Sequence, residues 1–247
     1  MCGIAGFSAG RNHNFDARVL SAALLTEIVA RGYDATGMAW TDRDGKVWYS
    51  KIDQDAASFI DTHLDELDAD AKTVILHTRY ATKGSPEVEG NNHPIVRPGI
   101  VGVHNGVIPN DDEVFEMLQT DRLAQVDSEA AFALLAEGGM HPTDALTLLD
   151  GRVALAWINT DEADTLHVAR WQGSPLAIGQ SRLGTFVFAS TLSMLAKAGR
   201  QAGLGFTMTQ DVPEGWYFRV RNGVIHDTLP VGVPSTMGRA LAMTGGK

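Results

Sequence analysis

The sequence predicts a layered α+β protein. Segments with strand character outnumber those with helical periodicity, and the two kinds do not alternate strictly, which favours layered sheets and helices over a doubly wound parallel sheet. The chain has 247 residues, of which 44% are hydrophobic and 20% are charged, as is typical of a globular protein. A chain of this length buries enough surface to fold around its own core without cross-links.

The first half of the chain carries signals of both kinds. Residues 17–29 are expected to form a helix because their apolar side chains recur every three or four positions. The turn-forming residues 42–45 lie between the apolar runs 38–40 and 47–52, which predicts a β-hairpin. The other elements predicted before residue 150 are strands at 3–7 and 73–77 and helices at 54–67, 112–119, 128–137 and 143–149.

A second turn dipeptide, Asn105-Gly106, lies between the apolar runs 100–104 and 107–108 and predicts another reversal of the chain. Strand signals dominate after residue 150. The elements predicted there are strands at 153–158, 165–169, 176–178, 185–189, 216–220 and 224–227, and one helix at 192–203. We expect one domain over residues 1–230, followed by a poorly ordered tail of small residues at 231–247.

The composition excludes several classes of protein. The chain has 20 Lys and Arg against 30 Asp and Glu, and its net charge of -10 disfavours nucleic acid as a partner. One cysteine cannot make a disulfide scaffold or a cysteine zinc site. The longest apolar run, 130–136, is far shorter than the roughly 20 residues that a bilayer requires, and no secretory signal opens the chain. We therefore expect a cytoplasmic protein with no membrane partner.

The only cysteine is residue 2, directly after the initiator methionine. Removal of Met1, which is usual before a small second residue, leaves Cys2 with a thiol and a free α-amine. Their reference pKa values lie close together, at about 8.5 and about 7.7–8.0, so the amine can accept the thiol proton and later return it to a leaving group. Cys2 is thus a candidate nucleophile that carries its own base. The alternative is a small packing residue at the start of a strand.

Several short blocks with polar residues or glycine lie at intervals between residues 2 and 190. They are C-G-I-A-G-F at 2–7, R-G-Y-D-A-T-G at 31–37, H-T-R-Y-A-T at 77–82, N-H-P at 92–94, H-N-G at 104–106, V-D-S-E at 126–129, G-S-P-L at 173–176 and A-S at 189–190. In content and order this set resembles the class II glutamine amidotransferases, which are N-terminal-nucleophile hydrolases. Within that family it is most similar to the glutaminase domain of glucosamine-6-phosphate synthase.

Considered one at a time, residues of these blocks also have purely structural interpretations. Asn105-Gly106 is typical of a type I′ turn, and Asp127 is well placed to cap the helix that follows it. Arg79 fits a solvated charge at a strand end, and His93 and His104 fit core histidines. A single site accounts for all of these residues together, and we adopt that interpretation.

The resemblance implies a fold and a reaction. The fold is a four-layer αββα sandwich, in which two antiparallel sheets pack face to face with helices outside. In the reaction, Cys2 attacks the side-chain amide of L-glutamine, and a glutamyl thioester is hydrolysed to glutamate after ammonia leaves. The amide of Asn105 and the backbone N–H of Gly106 are expected to form the oxyanion hole. No cofactor and no metal are implied.

The resemblance also assigns residues to the substrate and to the N-terminus. Arg79 suits the α-carboxylate of glutamine because its planar guanidinium can donate two parallel hydrogen bonds. Asp127 supplies the opposite charge for the α-ammonium group. Thr82 and His93 are further expected substrate-binding residues, and Arg31 is expected to hold the N-terminal residue in place.

The sequence is compatible with more than one function. The chain stops near residue 247 and contains no P-loop, so we expect a free-standing glutaminase that hands ammonia to a separate acceptor synthase or transferase. One alternative is a hydrolase of another γ-glutamyl amide that needs no acceptor. Another is a catalytically silent module that binds glutamine.

The chain also departs from the family pattern in places. Tyr80, Lys83 and Ala35 stand where the family usually has tryptophan, histidine and serine. The first two belong to the segment 79–87, which matches a loop that closes over glutamine.

Overall fold

The computed structural model describes residues 1–11, 15–137 and 139–232. The elements in chain order are β1 (Gly3–Ser8), α1 (Ala17–Ile28), β2 (Ala35–Thr41), β3 (Val47–Ile52), α2 (Ala56–His63), β4 (Thr73–Arg79), β5 (Ile95–Arg97), β6 (Ile100–Val107), α3 (Asp111–Leu118), α4 (Ser128–Glu137), α5 (Pro142–Ala145), β7 (Arg152–Asn159), β8 (Thr165–Gln172), β9 (Ala177–Ser181), β10 (Phe186–Ala189), α6 (Leu192–Gln201), β11 (Phe206–Asp211), β12 (Trp216–Arg221) and β13 (Val224–Pro230).

The strands form two sheets, and all the strand pairings in them are antiparallel. The spatial order is β11-β9-β10-β1-β4-β2-β3 in the first sheet and β13-β12-β8-β7-β6-β5 in the second. β1 lies inside the first sheet, where Gly3 pairs with Thr78 of β4 and Ala5 pairs with Ala189 of β10. The N-terminus therefore emerges beside the end of β4.

Three hydrophobic clusters separate four layers. Helices α1, α2 and α6 cover the outer face of the first sheet, where Leu24 and Leu195 are buried. Helices α3, α4 and α5 cover the outer face of the second sheet, where Phe132 is buried. A third cluster, which includes Ile75 and Val103, fills the space between the sheets. The α+β class and the αββα sandwich are thus confirmed.

Most of the elements predicted from the sequence are present with slightly different ends. The helix predicted at 54–67 is α2 followed by a 3-10 turn at Leu64–Glu66, and the one predicted at 143–149 is α5 followed by a 3-10 turn at Leu146–Leu148. The sequence prediction lacks β5 and β11, which are both edge strands. β11 is largely exposed, so it lacks the apolar pattern by which a buried strand is recognised.

The predicted reversal at Asn105-Gly106 is wrong. β6 runs through both residues because they pair with Ala154 and Val153 of β7. The turn that leads into β6 is instead at Pro98-Gly99, where Gly99 has a φ of 83° that glycine tolerates best. Pairing across the sheet has overridden the local turn preference.

The tail expected at 231–247 falls largely outside the described residues, which end at residue 232. In the part of the chain that the structure describes, no helix combines the length and apolar character needed to cross a bilayer.

Replacing Gly102 by alanine should destabilise the fold. Gly102 lies in β6 directly beneath Phe132 of α4, and a Cβ at this position would overlap the aromatic ring. Because the ring is fully buried, we expect Gly102→Ala to lower the free energy of unfolding by about 1–3 kcal/mol in chemical denaturation. The control is Gly90→Ala, where the nearest atom to a new Cβ is 3.6 Å away. Equal stability of the two variants would contradict the packing described for α4.

Candidate active site

Three strand ends meet beside the N-terminus at one end of the sandwich. Side chains along a strand alternate between its two faces, so residues an even number of positions apart share a face. By this rule Cys2, Arg79 and Asn105 point the same way as three side chains of the cluster between the sheets, namely Ile4, Ile75 and Val103. Two sheets thus deliver a thiol, a guanidinium and a side-chain amide to one place.

Cys2 is half-buried and is held at both its sulfur and its carbonyl. The backbone N–H of Tyr80 donates to Cys2 Sγ at 3.4 Å. Arg31 Nε donates to the Cys2 carbonyl at 2.8 Å, which fits the N-terminus-positioning role expected of this arginine. The sulfur of Met1 lies 3.8 Å from Arg31 Nη2 and 3.9 Å from Arg152 Nη1. Met1 is 58% exposed, so the residue ahead of Cys2 is accessible from solvent.

The segment 31–34 shapes the backbone that reaches Cys2. Gly32 lies against the peptide between Arg79 and Tyr80 so closely that a Cβ would overlap it. The N–H of Asp34 donates to the Arg79 carbonyl at 3.0 Å, and its carboxylate accepts from the N–H of Ala81 at 2.7 Å. The glycine and aspartate of this block therefore hold the peptide that points its N–H at the sulfur.

Arg79 is buried and organises the loop that follows it. Its Nη1 donates to Asn92 Oδ1 at 2.7 Å, and its Nη2 donates to the carbonyls of Lys83 and Gly84, each at 2.7 Å. Three of the five N–H donors of the guanidinium are thereby engaged, and the other two, on Nε and Nη1, have no hydrogen-bond partner among the described residues. Thr82 lies on the same loop and is exposed.

Asn105 is the most unusual polar group at this end of the sandwich. It is only 1% exposed, yet neither atom of its side-chain amide has a hydrogen-bond partner among the described residues. Leaving a buried amide unsatisfied costs about 1–3 kcal/mol, so an incoming ligand oxygen would find an uncommitted donor. The adjacent Gly106 packs against the Arg152 carbonyl with no room for a Cβ.

Asp127 brings a carboxylate to the same end of the sandwich. It immediately precedes α4, and its Oδ2 accepts from the N–H of Ile108 at 2.6 Å, just past the end of β6. The carboxylate is therefore directed toward the strand that carries Asn105 and Gly106. The charges of Asp127 and Arg79 both act on the thiol of Cys2.

Burial is the largest influence on Cys2 and raises the pKa of its thiol. The backbone N–H of Tyr80, the positive N-terminus and Arg79 lower this pKa, whereas Asp127 raises it. The net direction is upward, so the protonated thiol predominates near neutral pH. Nucleophilic attack by this sulfur therefore requires a base.

His93 lies in the interior, behind these groups. Its ring stacks on His77 with centroids 4.0 Å apart, and neither of its nitrogens has a hydrogen-bond partner among the described residues. His77 Nε2 contacts the carbonyl of His104 at 3.1 Å and so ties β4 to β6. Burial lowers the pKa of His77 to about 3 and that of His93 well below its usual value, so both rings are neutral. A substrate-binding role for His93 stays a prediction.

Sequence reasoning missed three contributors to this site. They are the backbone N–H of Tyr80, the side chain of Asn92 and the backbone carbonyl of Arg152, which contact Cys2, Arg79 and Gly106 respectively. Asn92 belongs to a recognised block, which was a usable signal. No sequence pattern marks the other two, since both act through backbone atoms.

Comparison with known proteins identifies the domain. Residues 77–197 match the glutamine amidotransferase domain family. The glutamine–fructose-6-phosphate aminotransferase (isomerizing) of Salmonella paratyphi A is 32% identical over 209 residues, which cover 79% of this chain and 32% of that protein. The chain carries a class II glutamine amidotransferase domain. The enzyme of the same name from Staphylococcus epidermidis is 32% identical over 206 residues, covering 79% of the chain and 33% of that protein. The chain therefore spans about a third of the length of these relatives.

Solved structures share the fold of this amidotransferase domain. Glutamine phosphoribosylpyrophosphate amidotransferase from B. subtilis superimposes with a TM-score of 0.75 at 20% identity, covering 94% of this chain and 50% of that one. A glutamine aminotransferase class-II domain protein from Silicibacter pomeroyi gives a TM-score of 0.60 at 14% identity, covering 94% of this chain and all of that one.

The pH dependence of Cys2 alkylation should report the charges around the thiol. Because burial raises its pKa, we expect the half-maximal rate with iodoacetamide above the value of about 8.5 for a free thiol. Asp127→Asn should move this midpoint down, and Arg79→Gln should move it up. Asp42→Asn, a matched control in the β2–β3 turn, should leave it in place. Shifts in the reverse directions would contradict the charge arrangement, and mass spectrometry assigns the adduct because the chain has one cysteine.

Proposed function

We propose that the domain hydrolyses L-glutamine to glutamate and ammonia with Cys2 as the nucleophile. The observation that carries the proposal is the buried amide of Asn105, which has no partner among the described residues and lies at the same end of the sandwich as the thiol. A polar group kept out of water without a partner is costly, so each one in a native protein needs an explanation, and a catalytic role is one such explanation. The oxygen of a substrate amide that turns into an oxyanion would accept a hydrogen bond from Asn105 Nδ2.

The charges at the site match the polar groups of free glutamine. Arg79 has a positive charge and one N–H donor each on Nε and Nη1 to offer the α-carboxylate, and Asp127 offers its carboxylate to the α-ammonium group. The guanidinium comes from β4 and the carboxylate from the start of α4, so a zwitterion can lie between the two elements with its side-chain amide toward Cys2.

The proton balance follows from the raised pKa of the thiol. After removal of Met1, the α-amine of Cys2 takes the thiol proton as Sγ bonds to the amide carbon of glutamine. That proton passes to the leaving nitrogen, the carbon–nitrogen bond breaks, and ammonia departs from a glutamyl thioester. Water then adds to the thioester with the same amine as base, which releases glutamate and restores the thiol.

Asn105 and Gly106 stabilise the tetrahedral states on this path. Negative charge develops on the former amide oxygen, and preorganised donors aimed at that charge lower the barrier. The missing Cβ of Gly106 lets its backbone fit against Arg152 without displacing the strand end. This geometry is preorganised before substrate binds, since the amide of Asn105 has no competing partner among the described residues.

Ammonia released here is proposed to serve a separate acceptor synthase or transferase. The two aminotransferases and the B. subtilis amidotransferase named above are about two to three times as long as this chain, and this domain matches only part of each. The part that this chain shares with them supports the release of ammonia, and the names of those proteins support a transfer of it to an acceptor.

An electrophilic glutamine analogue tests the nucleophile directly. Intact mass should show a protein without Met1 that gains one adduct, and Cys2→Ala should gain none. Excess glutamine should protect the thiol because both molecules compete for one site. A processed protein that gains no adduct would overturn the proposed function and direct attention to other γ-glutamyl amides.

Asn105→Ala should separate catalysis from folding. Losing one oxyanion donor typically costs about 10²–10³ in kcat, and we expect that loss in glutaminase assays. Glutamine should still bind, because Arg79 and Asp127 are unchanged. The matched control is Asn159→Ala, at the far end of the neighbouring strand, which should keep its turnover. Full activity in Asn105→Ala would remove this residue from the oxyanion hole.

A further inference from the structure

Lys83 is held by contacts of both its backbone and its side chain. Its backbone carbonyl accepts from Arg79 Nη2 at 2.7 Å, and its ammonium group lies 2.5 Å from Asp111 Oδ2. Asp111 is the first residue of α3, in the layer that covers the other sheet, and its side chain is 5% exposed. The loop after β4 is thus connected by one side chain to the far side of the site.

Asp111 also binds the segment that leads to Asp127. Arg122 Nη2 lies 2.9 Å from the same Asp111 Oδ2, and its guanidinium stacks over the Phe115 ring at 4.3 Å. One buried carboxylate oxygen of Asp111 therefore joins the loop that follows Arg79 to the segment that precedes Asp127. Two cations around it offset the cost of burying its charge.

Asn91 makes a second bridge between the same segments. Its Oδ1 accepts from the N–H of Gln125 at 2.8 Å, and its Nδ2 donates to the Ser85 carbonyl at 3.1 Å. Asn91 contributes only neutral hydrogen bonds, whereas Lys83 and Asp111 contribute an ion pair. The electrostatic part of the connection between the loops therefore passes through Lys83.

We propose that the Lys83–Asp111 ion pair is a latch that sets the position of the loop 79–87 and thereby the affinity for glutamine. The inference rests on the proposed function, because it takes Arg79 as the group that binds the α-carboxylate. Lys83 is a positioning residue: it fixes the carbonyls of residues 83 and 84 that orient the Arg79 guanidinium. Without the ion pair these carbonyls become mobile, and the Arg79 guanidinium populates orientations that do not contact the substrate.

The test compares Lys83→Met with Lys83→Arg. We expect Lys83→Met to raise the KM for glutamine roughly three- to ten-fold with kcat within a factor of two, because the chemistry at Cys2 is untouched. Lys83→Arg should restore the KM. Hydrogen exchange of the amides at 80–87 should be faster in Lys83→Met. In the unsubstituted protein KM should rise with salt, since the lysine is half-exposed and its pair is screened.

Lys197→Met is the matched control. Lys197 forms an ion pair with Glu27 at 3.7 Å between α6 and α1, and it is similarly exposed. This variant should change neither KM nor exchange at 80–87. Unchanged KM and unchanged exchange in Lys83→Met overturn the latch, as does a fall in kcat at constant KM. If the unsubstituted protein neither turns over glutamine nor takes the analogue, the proposed function fails, and loop exchange alone then decides whether the latch exists.

Discussion

The candidate active site depends above all on the pairing of β1 between β4 and β10. A chain terminus is usually frayed, but here the second residue stands directly before a strand that is hydrogen-bonded on both sides. Sheet registers are specified strongly when both faces are buried, because a slip of one residue would turn every side chain to the wrong face. The position of Cys2 is therefore determined by the hydrophobic core rather than by local contacts alone.

The polar groups around this terminus fall into two sets with different tasks. One set is already hydrogen-bonded within the protein: Arg31 and Asp34 bond to backbone groups, and Asn92 bonds to Arg79. The other set is uncommitted, and the amide of Asn105 is its clearest member. The first set fixes the backbone around Cys2 and the position of Arg79, and the second keeps a polar group available to a ligand.

The sequence predicted the fold class and most elements, but not how the candidate site residues are held. Alternation and helical spacing are local, so they located the buried strands and missed the exposed edge strand β11. Asn105-Gly106 was misplaced in a turn because its pairing partner lies nearly fifty residues further on in β7. The contact from the Tyr80 N–H to Cys2 and the bridge at Asp111 join distant segments, and neither follows from residue type.

The interior histidines restrict the conditions under which the fold survives. Burial lowers the pKa of His77 and of His167 to about 3, and that of His93 also falls well below its usual value. Below about pH 6.5 these histidines are protonated in the unfolded chain but stay neutral in the folded one, so acid favours unfolding. Each such ring therefore lowers the free energy of unfolding progressively as the pH falls from about 6.5 toward its folded-state pKa. The stacked imidazoles buried at neutral pH therefore make the sandwich labile to acid.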